Sequence, residues 1–221
     1  MLSQQLEVQQ AVEYVEPRDV PGHWHVLKRL TDVVVSSAAL VISAPILAAA
    51  SIGIVMVSPG SPFFVQERVG KDGRIFRLIK LRSMISGAHL MHEEMRRFNE
   101  VSGPVLKIRR DPRLHGFGAF LRKTSIDELP NFINVLLGDL SVVGPRPPLP
   151  VEVKNYDAWA RRRLAVKPGI TCLWQISGRS DVDFDRWMDL DNEYIDSWTP
   201  RLDCEIILKT IPAVLLRRGA L

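Results

Sequence analysis

The longest apolar stretch of the 221-residue chain runs from residue 33 to 57, VVVSSAALVISAPILAAASIGIVMV, without one charge. As a straight helix these residues would extend about 37 Å, enough to cross a ~30 Å hydrocarbon core. Basic residues stand on both sides, Lys28 and Arg29 before the run and Arg68, Lys71, Arg74, Arg77, Lys80 and Arg82 after it. The positive-inside rule then wants both ends on the same side of a bilayer. Pro45 removes a helix hydrogen bond in mid-run, and Ser43 offers a hydroxyl to a freed carbonyl. The pattern therefore predicts a helix broken near Pro45 that enters one leaflet and returns, with a tilted span that tolerates its proline as the plainer alternative. Residues 1–25 read as a mobile, Gln/Glu-rich tail and not a signal peptide, 26–58 as the membrane segment, and 59–221 as the remaining domain.

Beyond the Pro/Gly/Ser cluster at 58–62, FFVQERVGKDGRIFRLIKLRSM places a Lys-Asp-Gly turn between two mixed apolar runs, which predicts a short hairpin. HLMHEEMRRFN (89–99) reads as a helix with Glu93 and Arg97 at i,i+4 spacing. A helix-like turn ends in Arg122-Lys123, and Ser125-Ile126-Asp127-Glu128 fits a capping box ahead of an apolar face on Leu129, Phe132, Ile133, Leu136 and Leu137. Residues 151–165 and 183–197 look helical, and KPGITCLWQISGR between them looks like a loop. The closing RLDCEIILKTIPAVLLRR is amphipathic with a basic end, which suits either an interfacial helix or a core helix.

Lys and Arg outnumber Asp and Glu by 29 to 25, with a sequence pI near 9.3, so a polyanionic partner fits: nucleic acid, anionic lipid or a phosphorylated substrate. Nucleic acid is disfavoured, because no aromatic stacking series or groove-reading motif accompanies the charge. Two cysteines, Cys172 and Cys204, are too few for a disulfide scaffold or a cysteine-rich metal site. No GxGxxG, P-loop, HExxH or GxSxG motif occurs, so the common nucleotide-fold and hydrolase signatures are absent.

The neighbouring carboxylates Asp127 and Glu128 invite chemistry because of what surrounds them. Arg109, Arg110, Arg113, Arg122 and Lys123 lie upstream and Arg146 downstream, more cation than helix capping requires. A carboxylate can bind Mg²⁺ together with substrate phosphate oxygens, or attack phosphorus to give an acyl phosphate. Arginines would offset the charge of two anionic substrates, and flanking prolines present Arg146 at low entropic cost. The plain alternatives are that the acids complement a helix dipole and that Gly144-Pro145-Arg146-Pro147-Pro148 is a rigid connector.

KLRSM (80–84), Asp111-Pro112, LRKTSIDELPNFINVLLGDLSVVGPRP (121–147), KPGITCLWQISGR (167–179) and the closing Asp…Tyr-Ile…Trp run into LKTIPAVLLRRGA together resemble the bacterial sugar transferase family. These are monotopic phosphoglycosyl transferases that prime exopolysaccharide, capsule and O-antigen synthesis, and the likeness covers about residues 26–221. The resemblance implies a fold that is mainly α with a small β-hairpin: a re-entrant membrane helix hairpin plus a cytoplasmic α/β catalytic domain with interfacial amphipathic helices. It implies transfer of a sugar-1-phosphate, a hexose-1-phosphate in preference, from a UDP-sugar to undecaprenyl phosphate at the bacterial inner membrane, with release of UMP. Asp127 matches the attacking aspartate, Glu128 its dyad partner, and the pair the Mg²⁺ site. Lys80, Arg122 and Arg146 match positions for catalysis or phosphate binding. This chain reads Ser43-Ala44-Pro45 where the family's helix break is usually Ser-Pro. A ternary complex with Asp127 as metal ligand only, and a non-catalytic membrane-surface protein that recruits anionic lipid or a partner, are the competing readings. Trp174, Trp187 and Trp198 are candidates for a homodimer contact, the core or the interface.

Overall fold

The computed structural model describes residues 16–100, 104–106, 108, 111–177 and 183–215. Helix α1 is Gly22–Val57, and it starts inside the segment expected to be tail. At 36 residues it measures about 54 Å if straight. Its burial is inverted relative to a soluble core helix: Asp32, Ser36, Ser43, Ala50 and Ile54 are covered, whereas Val34, Val41, Ile42 and Met56 are exposed. It is long and apolar enough to cross a membrane.

The break expected at Pro45 is not a break in the helix. Helical backbone runs through the proline, which costs one ladder bond without ending the element, and Ser43 Oγ reaches the Leu40 carbonyl at 3.5 Å. Both ends of α1 are nevertheless fastened to the same body. At the start, Lys28 Nζ lies 2.7 Å from Asp203 Oδ2 and donates to Val143 O at 3.0 Å. Arg29 caps the carbonyls of Val135 and Leu136 at 2.6 and 2.7 Å. Asp32 Oδ1 accepts from Ser141 Oγ and Val142 N, each at 2.8 Å. At the far end, Ala50 and Ile54 pack with Leu81 and Leu121, and Arg82 donates to the Ser58 carbonyl.

The predicted hairpin is present. Strands β1 (Phe63–Val69) and β2 (Ile75–Leu81) pair antiparallel with Phe64 opposite Lys80 and Arg68 opposite Phe76. Helix α2 (Gly116–Lys123) starts with the His115 ring accepting from Gly118 N, and helix α3 (Asn131–Leu137) ends at Gly138 in the left-handed region. Two strands were not expected from the sequence: β3 (Ser141–Val143) pairs parallel with β4 (Gly169–Thr171), inside the segment read as a loop. The pairing is so close that a Cβ on Gly169 would lie 2.2 Å from Gly144 N, which excludes any side chain there.

Helices α4 (Leu173–Ile176), α5 (Phe184–Ser197) and α6 (Pro200–Leu215) complete the described chain. α5 matches the expected 183–197. The helix expected over 151–165 is instead three single turns, Pro150–Val153, Ala158–Arg161 and Arg162–Ala165, because Asp157 caps Ala160 N and restarts the chain. The helix expected over 89–99 is likewise split into short turns, and the Glu93 side chain lies outside the described residues.

α6 buries Asp203 and Ile206 and leaves Leu208 and Ile211 exposed, so its apolar residues do not all face the core. Trp187 is buried against Trp174, and Trp198 packs edge-on against Trp24, so each indole has a partner within the chain. One apolar cluster joins β2, α3, β3 and α6 through Leu78, Val135, Val143 and Ile206. A second joins β1 to the turns after β3 and to α5 through Val69, Val153, Leu164 and Trp187.

Candidate active site

Asp127 and Glu128 do not sit in the first turn of an α-helix, and the capping box is not formed. Ser125 takes the left-handed conformation (φ 57) with no side-chain cap, Ile126–Glu128 is a 3₁₀ turn, and α3 begins only after Pro130. The physical reason lies across the fold. Lys80, at the end of β2, draws the Glu128 carboxylate into an ion pair at 2.6 Å and so away from the Ser125 backbone.

The two acids are driven apart electrostatically. Asp127 is buried, and loss of water together with the neighbouring Glu128 charge raises its pKa to about 6, against the pull of Lys80 and Arg122. Glu128 moves the other way. Burial opposes its ionisation, but Lys80, by charge and by hydrogen bond, and then Arg146 and Arg68 hold it below the usual carboxylate range. One acid is thus kept ionised while the other is poised near neutrality, an arrangement typical of groups with different jobs.

The cations around the pair are themselves held. Arg122, in the last turn of α2, donates from Nε to Ser83 Oγ at 3.0 Å. α2 approaches that strand exit closely enough that a Cβ on Gly118 would lie 1.8 Å from the Ser83 carbonyl oxygen. Arg146 emerges from β3 through Gly144, whose N–H donates to Thr171 O at 2.9 Å, while Gly169 N donates to Pro145 O at 2.8 Å. Its guanidinium lies 3.4 Å from Glu152 and 5.6 Å from the Trp187 ring. Its carbonyl accepts from Arg163 at 3.0 Å, and Arg163 is paired at 2.7 Å with Asp191 in full burial.

Lys80 and Arg122 thus act on Asp127 by charge, and Lys80 and Arg146 act on Glu128. Ser43 and Pro45 belong to α1 and not to this cluster. Arg113 is committed to Asp111 through contacts of 2.6 and 2.8 Å, and Arg109 and Arg110 lie outside the described residues.

Sequence reasoning missed Arg68. It is buried, donates to Pro147 O at 2.9 Å and to Gln66 at 2.8 Å, and burial with the adjacent Arg146 charge pushes its pKa down to about 9. The signal was available: Arg68, Gln66 and Phe64 alternate onto one face of β1, and Phe64 faces Lys80 across the ladder. Arg163, Asp191 and Glu152 carry no such local signal.

Among the described residues no group of three or more His, Cys, Asp or Glu side chains is placed to hold a metal. Two adjacent carboxylates match the needs of a cation that takes most of its ligands from water and phosphate, as Mg²⁺ does, and not those of a Zn²⁺ or Ca²⁺ cage.

The sequence is similar to those of several known proteins. The chain is 49% identical over 162 residues to the galactosyl transferase CpsE of Streptococcus agalactiae, covering 73% of this chain and 36% of that protein. It is 39% identical over 197 residues to the exopolysaccharide production protein ExoY of Rhizobium meliloti, covering 87% of each. It is 38% identical over 199 residues to the undecaprenyl-phosphate galactose phosphotransferase of Salmonella typhimurium, covering 88% of this chain and 41% of that protein. The chain thus spans less than half of two of these relatives and most of the third. Residues 23–217, which hold the helix, the hairpin and every residue of the acid–cation cluster, match the family model for bacterial sugar transferase, and the chain belongs to that family.

Proposed function

We propose that this protein transfers a hexose-1-phosphate from a UDP-sugar to undecaprenyl phosphate, as the priming step of a surface polysaccharide. The reading is supported above all by the split pair: a buried Asp127 with its pKa raised to about 6 beside a Glu128 held ionised by Lys80. At neutral pH such an aspartate is mostly deprotonated yet more basic than an ordinary carboxylate, which suits a nucleophile. The names of the relatives, which include galactosyl and undecaprenyl-phosphate galactose transferases, support the hexose and the lipid acceptor.

In the first step an Asp127 oxygen forms a bond to the β-phosphorus as the bond from that phosphorus to the bridging oxygen breaks, and UMP leaves with that oxygen. In the second, an oxygen of the lipid phosphate attacks the same phosphorus, the acyl phosphate bond breaks, and the carboxylate is restored. Arg146, and Arg68 with it, would bind phosphate oxygens, the first with a planar fork held by Glu152 and Trp187. Arg122, tied to Ser83, lies near enough to stabilise Asp127 as an anion. Asp127 and Glu128 would hold Mg²⁺, which supplies charge neutralisation at the transferred phosphate.

Helix α1 would bend at Pro45 without breaking, so that it enters one leaflet and returns, with the catalytic domain on the cytoplasmic face of the inner membrane. The exposed Val34, Val41, Ile42 and Met56 support contact with lipid, and the fastening of both helix ends to one body supports a same-side entry and exit.

The test is UMP release by purified protein in lipid nanodiscs, with a panel of UDP-sugars and undecaprenyl phosphate. Release that needs lipid phosphate and Mg²⁺ and favours UDP-galactose or UDP-glucose is expected. A protein that binds the bilayer but releases no UMP would instead be a recruiting protein. Radiolabelled UDP-sugar without acceptor should leave label on the wild-type chain and none on Asp127→Asn. Absence of label together with appreciable Asp127→Asn turnover would favour direct attack in a ternary complex.

A further inference from the structure

A cavity of about 180 Å³ lies beside Glu128, and its lining argues for a particular occupant. Three of the lining side chains are threonines, but their hydroxyls are already committed. Thr210 Oγ1 donates to Ile206 O at 2.7 Å and lies 2.6 Å from Thr171 Oγ1, so the Thr171 proton goes to Thr210. Thr124 Oγ1 donates to the carbonyls of Phe120 and Leu121 at 2.9 and 3.1 Å. With those protons spent inside the protein, the threonines offer the cavity little beyond their methyl groups. Ile126, Leu129 and Ile170 add apolar surface, and Ser125 and Gln175 also line the cavity.

The cavity therefore combines a mostly apolar wall with three polar side chains, Ser125, Gln175 and the ionised Glu128, and beyond Glu128 stand Lys80, Arg146 and Arg68. No Lys or Arg is among its lining residues, so the phosphates of a substrate are not its occupant. A volume of about 180 Å³ admits a five-carbon unit. Its location adds direction. Ile126 also packs on the cluster of Ala50, Ile54, Leu81 and Leu121, so the wall continues into the side chains that cover the inner face of α1.

We infer that this cavity receives the phosphate-proximal isoprene unit of the lipid acceptor and guides its phosphate toward the acid–cation cluster. The inference rests on the transfer reaction proposed above. It makes Thr171, Thr210 and Ile170 specificity residues for the acceptor and not for the sugar.

Filling the cavity tests this. Thr210→Leu and Ile170→Phe should each raise the KM for undecaprenyl phosphate at least tenfold and leave the KM for the UDP-sugar within about threefold. Thr171→Val, which keeps the shape and removes only a committed hydroxyl, should change the acceptor KM less than threefold. A rise in the UDP-sugar KM instead, or in both alike, would assign the cavity to the donor and overturn the inference, as would no change in either. A second measurement needs no variant: dimethylallyl phosphate should compete with undecaprenyl phosphate at least tenfold better than methyl phosphate does, and equal potency would also overturn it. Wild-type turnover separates the two readings, because an enzyme that turns over with an unshifted acceptor KM sinks the cavity assignment alone, whereas no turnover with any UDP-sugar sinks both.

Discussion

Replacing Asp127 with Asn should abolish transfer and at the same time stabilise the protein at alkaline pH. Asp127 is buried, and its pKa rises from the usual 3.8 to about 6, so the folded state resists its ionisation even with Lys80 and Arg122 nearby. At 1.36 kcal/mol per pH unit that resistance is about 3 kcal/mol. Between pH 3.8 and 6 the folded chain keeps a proton that the unfolded chain releases. This contribution to stability is therefore present at low pH and lost as pH rises through 6. Asn has the same shape and no charge to bury, so it escapes the loss. Melting in nanodiscs, followed by tryptophan fluorescence, should show the variant and wild type together near pH 4. At pH 8 the variant should melt about 6–12 °C higher, given about 2–4 °C per kcal/mol for a chain of this size. The reasoning fails if the variant melts at or below wild type at pH 8, or if the gap between them does not change with pH.

Four further outcomes are expected. Lys80→Met removes the partner that holds Glu128 ionised, so turnover should fall at least a hundredfold and the acid limb of the residual pH–rate profile should move upward. Arg146→Lys keeps a charge but loses the planar fork, and the KM for the UDP-sugar should rise about tenfold, read by initial rates of UMP release. Gly118→Ala forces a methyl against the Ser83 carbonyl and should cost about 1–3 kcal/mol in denaturant titration while loosening the Arg122–Ser83 bond. Asp191→Ala leaves Arg163 buried without its counter-ion and should cost about 3–5 kcal/mol by the same titration.

The hairpin was legible because two local signals agree: alternating side chains in each strand and a Lys-Asp-Gly turn whose Asp72 and Gly73 take positive φ. α5 was legible for a similar reason, since Asp183 caps Arg186 N just ahead of a run of helical period. Asp127 and Glu128 were singled out by motif, but their local structure was misread. The S-x-x-E spacing is real, yet Glu128 is claimed by a lysine 48 positions away, and no local pattern records that competition. Pro130 was the better marker of where α3 begins, since proline favours the start of a helix. Strands β3 and β4 were missed because three residues each show no period; only Gly144 and Gly169, pressed together, hint at two backbones in contact. The inner support of Arg146 was illegible for another reason: Arg163 and Asp191 look like surface charges until the fold buries both.

The carboxylate of Asp32 accepts from two donors of β3, the Val142 amide and the Ser141 hydroxyl. This makes the N-terminal segment a poor candidate for removal in the preparation of a water-soluble fragment. A truncation at Ser58 would orphan polar groups in the strand that leads into Arg146, and detergent would not mend them. Efforts to make a tractable version for crystallisation or screening are better directed at recoding the exposed valines and isoleucines of α1, with the acid at position 32 left in place.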